Sequence, residues 1–210
     1  MQTQLLIGGQ WVEGSEGERL DVVDPATGET FDTVAAGTPG DASRAVDVAA
    51  EAQKGWAATA PRVRSEILRA GWEALVEHTD ELAELIVREH GKPLADATGE
   101  VAYAAEFFRW NAEETVRIHG SIGTAPSGDK RIIVHHPPVG VVVMVTPWNF
   151  PAAMITRKVA PALAAGCTSV VKPASQTPLT ALAMSELARR AQIPAGVLNV
   201  VTGPAAVIGK

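Results

Sequence analysis

The sequence predicts an α/β fold built on an open parallel sheet with flanking helices. Three apolar strand patterns, over 141–145, 168–171 and 197–201, alternate with two helical patterns. The first is the continuous run VVVMV, which is typical of a strand buried on both faces. Strand–helix–strand units cross over with one hand, so we expect the three strands to lie parallel.

Residues 1–119 predict a short hairpin followed by helices of the same domain. Gly8 and Gly9 tolerate the positive φ of a tight turn between two short strands. Apolar spacing predicts helices that begin near 41, 61, 79 and 97. Thr79 is expected to cap the third of these helices, and Gly91 to end it.

The organisation changes at residue 120. Two extended stretches flank a turn at 127–129, which predicts a β-arm over 120–136, and the parallel strands occupy 137–210. Only seven residues follow Gly203, too few for the helix that a third parallel strand requires. The uncovered face of that strand would expose apolar surface, so we interpret the sequence as the front part of a longer protein.

Composition argues against several classes of function. The 210 residues are 46% hydrophobic, with a formal net charge of −6 and a pI of about 5.4, which disfavours nucleic-acid and anionic-membrane partners. A single cysteine excludes an internal disulfide framework and fits a reducing compartment. The N-terminus lacks the features of a secretory signal, and no apolar run reaches membrane-spanning length. We therefore expect a cytoplasmic globular protein.

The three strand ends carry polar or glycine residues. Ligands of open parallel sheets bind beyond the carboxyl ends of the strands, so these segments predict a nucleotide crevice. No G-x-G-x-x-G follows any strand, and 203–210 has the wrong spacing for a P-loop. The segments are Thr146-Pro147-Trp148-Asn149, Lys172-Pro173-Ala174-Ser175 and Thr202-Gly203.

Four side chains near these ends have two interpretations each. Asn149 is either an oxyanion donor or a loop residue that bonds its own backbone. Lys172 either binds ribose hydroxyls or a phosphate, or caps the sheet in solvent. Ser175 is a helix cap or a ligand contact. Arg157 is a surface residue or a bidentate carboxylate binder.

Cysteine and histidine chemistry is disfavoured. Cys167 lies between a glycine and a strand start, with no adjacent histidine or cation to activate it, so we expect a buried, inert thiol. His135 and His136 point to opposite faces of a strand, and the other histidines are scattered. The sequence predicts no metal site.

Several segments together resemble the NAD(P)-dependent aldehyde dehydrogenases, over essentially the whole chain. They are TPWNFP at 146–151, KPASQTP at 172–178 and PAGVLNVVTG at 194–203. HGKPL at 90–94 and PAAMITRK at 151–158 are most similar to the succinate-semialdehyde dehydrogenase branch. The resemblance implies a Rossmann-like fold, and oligomerisation through the β-arm into a dimer or tetramer.

The resemblance also implies a mechanism. A cysteine attacks the aldehyde, an amide holds the resulting oxyanion, hydride passes to the nicotinamide, and a glutamate activates the hydrolytic water. Asn149 matches the oxyanion-stabilising amide, and Arg157 matches an arginine that binds the substrate carboxylate. Ser175 stands where many NAD-specific members carry a glutamate, which favours NADP, with NAD as the alternative. The residues implied in cofactor binding are Thr146, Pro147, Trp148, Asn149, Lys172, Pro173, Ala174, Ser175 and Gly203.

Two departures from the family pattern limit this expectation. Ala205 replaces a frequent glycine on the phosphate side of the cofactor. The catalytic cysteine and glutamate of the pattern lie beyond Lys210, and Cys167 matches a different, non-nucleophilic cysteine. The 210 residues alone are therefore expected to lack the catalytic domain and to be inactive. If they were the whole product, the alternative is a non-catalytic nucleotide-binding or subunit-interaction module.

Overall fold

Residues 2–209, which the computed structural model describes, form nine strands and seven helices. The strands are β1 Leu5–Ile7, β2 Gln10–Val12, β3 Arg19–Val23, β4 Thr30–Ala35, β5 Ser121–Thr124, β6 Arg131–Val134, β7 Val141–Val145, β8 Thr168–Lys172 and β9 Leu198–Val200. The helices are α1 Pro39–Ala58, α2 Pro61–Glu77, α3 Thr79–His90, α4 Leu94–Thr115, α5 Ala153–Ala164, α6 Pro178–Arg190 and α7 Ala205–Ile208. Within this described part, every helix is too short or too polar to cross a bilayer.

A five-stranded sheet in the order β2-β1-β9-β8-β7 forms the centre of the fold. β7, β8 and β9 are parallel, as predicted. The amino-terminal hairpin extends the sheet, because β1 pairs antiparallel with β9 through Leu6 and Val200. The α/β class is therefore confirmed, whereas the sheet is mixed rather than wholly parallel.

Helices cover the sheet in layers. α5 and α6 pack on one face, and α1 packs on the other face against β8, β9 and part of β7. α2, α3 and α4 form a further layer over α5 and α6. The larger core lies between these helical layers and the sheet, and its fully buried side chains include Trp56, Leu68, Ile86, Leu163, Leu179 and Leu182.

The prediction that the third parallel strand has an uncovered face is wrong. All three residues of β9 are buried, because β9 is an inner strand of the sheet, with α1 packed on one face and α6 on the other. The open apolar surface is on β7 instead. Val143 and Val145 are 59% and 60% exposed, so the prediction that this strand is buried on both faces is also wrong. Met144, which points to the α5 side, is buried.

The predicted cap of the third helix is wrong as well. α3 begins at Thr79, but the hydroxyl of Thr79 donates to the carbonyls of Leu75 and Val76 in the preceding helix. His78 occupies the cap position without a side-chain capping bond. The predicted end of α3 is confirmed, since Gly91 adopts the left-handed conformation with φ of +81°.

β5 and β6 form a separate antiparallel hairpin within the predicted β-arm. Ser121 lies opposite Val134, and all eight strand residues are exposed. Ile122 and Ile133 are 67% and 74% exposed. The hairpin therefore presents apolar side chains on a surface with no cover among residues 2–209.

Candidate functional site

The carboxyl ends of the three parallel strands meet at one edge of the sheet. Val145 lies opposite Lys172 in the β7–β8 ladder. The Thr146 N–H donates to the Lys172 carbonyl at 3.1 Å, and the Val201 N–H donates to the Val171 carbonyl at 2.9 Å. Two loops leave this edge, the β7–α5 loop (146–152) and the β8–α6 loop (173–177). The segments predicted to form a crevice therefore start side by side.

A cleft of about 590 Å³ opens on the face of the sheet that α1 covers incompletely. Its floor is apolar and includes Val143 and Val145, the exposed residues of β7. Aliphatic walls of this kind suit a flat, weakly polar group such as a purine. The lining residues are Pro39, Gly40, Ala42, Ser43, Val46, Asp47, Val143, Val145, Val170, Lys172, Val201, Ala205, Ile208 and Gly209.

Lys172 is the one buried cation that lines this cleft among the described residues. It is the last residue of β8 and is 6% exposed. Burial lowers the pKa of its ammonium, and no charge or hydrogen bond from residues 2–209 compensates for it. A cation that lacks a partner and borders a cleft can donate hydrogen bonds to hydroxyl or phosphate oxygens of a ligand.

The β8–α6 loop is joined to the end of β9. The Ser175 hydroxyl donates to the Gly203 carbonyl at 3.0 Å, so this side chain does not cap α6. Gly203 has φ of +146°, and a Cβ there would lie 2.5 Å from Ile208 Cδ1. Pro173 and Ala174 are buried within the loop. The loop is therefore largely fixed by packing and by its bond to Gly203.

A buried carboxylate caps the helix that follows this loop. Glu89 of α3 is 3% exposed and accepts from the backbone N–H groups of Leu179 and Thr180 at 2.8 and 3.0 Å, and from the Thr180 hydroxyl. Burial raises the pKa of Glu89 to about 7, although these hydrogen bonds lower it, and the neighbouring Glu100 adds to the increase.

The β7–α5 loop is more exposed. Thr146 is buried, whereas Pro147, Trp148, Asn149 and Phe150 are all exposed. The Asn149 side chain is therefore available to a ligand, as its predicted role requires.

Residues at the end of α3 and in the α3–α4 connection contact this loop. The His90 ring packs on the Trp148 ring at 5.6 Å between centroids. Neither ring nitrogen of His90 has a hydrogen-bond partner among residues 2–209, and burial together with the Lys92 ammonium lowers its pKa. Lys92 pairs with Glu100, which caps α5 through the Ala152 and Ala153 N–H groups.

The sequence interpretation missed Glu89, Lys92 and Glu100. A signal was available, because both glutamates continue the buried apolar stripes of their helices: Glu89 follows Leu82 and Leu85 at helical spacing, and Glu100 follows Ala97. A charged residue on such a stripe requires a partner in the interior.

Arg157 lies on the exposed side of α5. Its guanidinium is 3.9 Å from the Met154 sulfur and lies 5.8 Å from the centroid of the Phe107 ring. It forms no ion pair within residues 2–209. The structure thus leaves its charge available, and its role in carboxylate binding stays a prediction.

Cys167 is buried, as expected, with 3% of its surface exposed. In the part of the chain that the structure describes, no group of three or more histidine, cysteine, aspartate or glutamate side chains is arranged to hold a metal ion.

Known proteins match this sequence over nearly the whole chain. The model of the aldehyde dehydrogenase family matches residues 11–210. The chain is 51% identical over 206 residues to the NADP(+) succinate-semialdehyde dehydrogenase of Escherichia coli strain K12, covering 98% of this chain and 43% of that protein. It is 52% identical over 206 residues to a glutarate-semialdehyde dehydrogenase of Pseudomonas putida, with the same coverage.

Solved structures give the same result. An NADP-dependent enzyme of Escherichia coli superposes with a TM-score of 0.97 at 50% identity, over 99% of this chain and 43% of that one. Betaine aldehyde dehydrogenase of Staphylococcus aureus, solved with NAD+, superposes with a TM-score of 0.96 at 32% identity, over 100% and 43%. The chain therefore spans less than half the length of these relatives. It belongs to the aldehyde dehydrogenase family, and its α/β sheet is the Rossmann-like sheet of that family.

Proposed function

We propose that the cleft beside Lys172 binds the adenosine part of NADP, or of NAD, and that this chain supplies cofactor-binding residues to an aldehyde dehydrogenase. The observation that carries the proposal is the largely buried Lys172 side chain at the rim of an apolar cleft, whose ammonium has no hydrogen-bond or charged partner among residues 2–209. Apolar walls suit the base, and the ammonium can donate to ribose hydroxyls or to a 2′-phosphate. When bound, the nicotinamide supplies the hydride acceptor.

The β7–α5 loop is proposed to serve the reacting end of the cofactor. The exposed Asn149 amide would donate a hydrogen bond to the aldehyde oxygen as that oxygen gains negative charge. Thr146, Pro147 and Trp148 would shape the nicotinamide side of the site.

The cysteine nucleophile and the glutamate base would come from a segment beyond Lys210, so the 210 residues alone should bind nucleotide without turnover. Aldehyde oxidation by a product of this length would contradict that assignment.

The substrate is proposed to be an aldehyde that carries a distant carboxylate, with succinate semialdehyde as the specific expectation. The support is the exposed Arg157, which forms no ion pair within residues 2–209, together with the names of the bacterial relatives. Arg157→Ala in the full-length protein should reduce kcat/KM for succinate semialdehyde more than for an uncharged aldehyde of similar length. Equal losses on the two substrates would remove Arg157 from carboxylate binding.

We propose NADP as the preferred cofactor because Ser175 is a neutral residue in the β8–α6 loop. A carboxylate at this position would repel a 2′-phosphate. Ser175→Glu should therefore shift the ratio of kcat/KM values from NADP towards NAD. An unchanged ratio would place the choice of cofactor elsewhere.

The exposed hairpin β5–β6 is proposed to join copies of this chain into a homo-oligomer in the cytoplasm. An open strand edge that carries Ile122 and Ile133 favours pairing with another chain. Ile133→Glu should lower the mass measured by light scattering, whereas Val139→Glu, at an exposed residue outside the hairpin, should not. An unchanged mass for Ile133→Glu would exclude this hairpin as the interface.

Lys172→Met tests the nucleotide site directly. Methionine keeps the apolar stem and removes a buried charge, so we expect the variant to be folded and at least as stable as the wild type without ligand. It should lose most of the affinity for NADP+ in isothermal titration, while Lys54→Met, at an exposed lysine of α1, should bind normally. Normal affinity in Lys172→Met would refute the proposed site.

A further inference from the structure

Lys92 lies in a short connection of defined geometry. It follows Gly91, which ends α3 in the left-handed conformation, and it precedes Pro93, which sits at the start of α4. Its side chain is only 10% exposed. The aliphatic stem is therefore buried, and the ammonium is held in one region instead of moving freely in solvent.

The Lys92 ammonium contacts three groups at once. It pairs with Glu100, it lies 3.4 Å from the Asn149 carbonyl oxygen, and it lies 4.4 Å from the centroid of the Phe150 ring. The last two contacts are made with Asn149 and Phe150, which are successive residues of the β7–α5 loop. A cation over an aromatic face and a bond to a backbone carbonyl both restrict this loop.

Glu100 links that ammonium to the start of α5. Its side chain is fully buried, and Oε1 accepts from the Ala152 and Ala153 N–H groups at 2.8 and 3.2 Å, while Oε2 pairs with Lys92. The carboxylate thus satisfies backbone donors at a helix N-terminus and the ammonium together. The ion pair therefore contacts the second half of the loop, at Asn149 and Phe150, and also the start of the helix that follows, at Ala152 and Ala153.

From these contacts we propose that Lys92 and Glu100 are positioning residues that hold the β7–α5 loop so that Asn149 reaches the reacting aldehyde oxygen. The part of this inference that concerns the reaction rests on the proposed function of Asn149. Neither side chain touches the reacting atoms, so the pair acts through the loop. A buried ion pair is by itself weak evidence for stability, which makes loop geometry the effect to measure.

Hydrogen–deuterium exchange of the full-length protein that carries these residues tests the geometric part. In Lys92→Met, amide exchange over 146–153 should become faster, while exchange over 173–178, in the other loop, should stay as in the wild type. Arg88→Met is the matched control, because Arg88 also lies over a phenylalanine ring, that of Phe31, but does not contact the loop. Unchanged exchange over 146–153 in Lys92→Met would overturn the proposal.

Steady-state kinetics of the same variants test the link to the reaction. A displaced Asn149 should lower kcat for aldehyde oxidation by roughly tenfold to a hundredfold. NADP+ affinity should change less than about twofold because Lys172 is untouched. Lys92→Arg, which keeps the charge, should recover part of kcat, and Arg88→Met should behave as the wild type. Faster exchange with normal kcat would contradict a role in positioning Asn149.

The two readouts separate this inference from the proposed function. If the wild-type protein oxidises no aldehyde, the proposed function fails, and the exchange data still decide whether the ion pair orders the loop. If the wild type is active and Lys92→Met matches it in both exchange and kcat, only the positioning role fails.

Discussion

The β7–α5 and β8–α6 loops leave neighbouring strands at the same edge of the sheet, but different interactions hold them. The β8–α6 loop contains buried residues, and Ser175 bonds it to the end of β9. The β7–α5 loop is exposed from Pro147 to Phe150, and it is contacted by His90 at the end of α3 and by Lys92 in the α3–α4 connection. Packing therefore fixes one loop, whereas an ion pair between the α3–α4 connection and α4 contacts the second.

The helices after these loops extend the comparison. Each begins at a buried carboxylate, Glu89 for α6 and Glu100 for α5. Among residues 2–209, a cationic partner is present for Glu100, which pairs with Lys92, and not for Glu89. Glu89 instead relies on hydrogen bonds to the helix N-terminus, and its raised pKa reflects the cost of its burial. The exposed loop is thus followed by the helix whose carboxylate cap is paired with a cation, and the buried loop by the helix whose cap is not.

Glu100→Ala should have the largest effect on stability. It removes both backbone bonds at the start of α5 and leaves a largely buried Lys92 without its counter-ion, so we expect a loss of about 3 kcal/mol or more in the free energy of unfolding. Urea denaturation measures the loss. Glu106→Ala, at an exposed ion pair of the same helix, should change stability far less. Similar effects of the two substitutions would contradict a special role for the buried pair.

Glu89→Gln should change how stability depends on pH. The folded protein retains a proton on Glu89 up to about pH 7, which the unfolded chain releases near 4.5. The contribution of Glu89 to the free energy of unfolding is therefore fully present below pH 4.5. It decreases as the pH rises above 4.5 and is lost once the pH has passed about 7. Relative to Glu89→Gln, the wild type should lose up to about 3 kcal/mol between pH 5 and 8.

Denaturation midpoints across that pH range check this prediction. Glu84→Gln, at an exposed glutamate of the same helix, should follow the wild-type curve. If the denaturation midpoints of the wild type and of Glu89→Gln change in parallel with pH, Glu89 does not titrate in this range. Its burial would then be less costly than the raised pKa indicates.

Gly203→Ala should disturb the packed loop at its junction with β9. The new Cβ would approach Ile208 Cδ1 to 2.5 Å at a φ of +146°, which L residues rarely adopt. We expect a loss of roughly 1–3 kcal/mol in the free energy of unfolding. Gly99→Ala in α4 meets no atom within 4 Å and should instead be slightly stabilising. A neutral Gly203→Ala would show that this junction is not constrained.

Ser175→Ala should have the smallest effect of the four. It removes one hydrogen bond, to the Gly203 carbonyl, in a loop that packing already fixes, so we expect a loss of about 1 kcal/mol or less. Thermal melting measures the change. A much larger loss would mean that this bond, and not packing, holds the β8–α6 loop.

The sequence predicted most of the architecture for identifiable reasons. The three parallel strands and the Gly91 helix end follow from local patterns that the tertiary structure preserves. The burial of β7 and β9 was predicted wrongly, because burial depends on which strand lies at the sheet edge and on the hairpin that pairs with β9. Neither feature is encoded within the strand segments themselves.

The candidate site was predictable only where its residues follow the strands. Lys172 and Asn149 were found because they end or follow apolar runs. Lys92 and Glu100 were missed because they are separated from the loop by about fifty residues, and only the packing of α4 against α5 brings them together. For Glu100, the position of a charged residue on a buried helical stripe was a local sign of its role, and Lys92 offered no such sign.

The kinetics of Asn149→Ala in the full-length protein, with nucleotide affinity measured on the same sample, test most directly whether the β7–α5 loop serves the chemical step. We predict that kcat for succinate semialdehyde falls by roughly 100-fold to 1,000-fold, as for loss of an oxyanion donor, while the Kd for NADP+ changes less than about twofold. An unchanged kcat, or a loss confined to nucleotide affinity, would contradict the assignment of the β7–α5 loop to the chemical step.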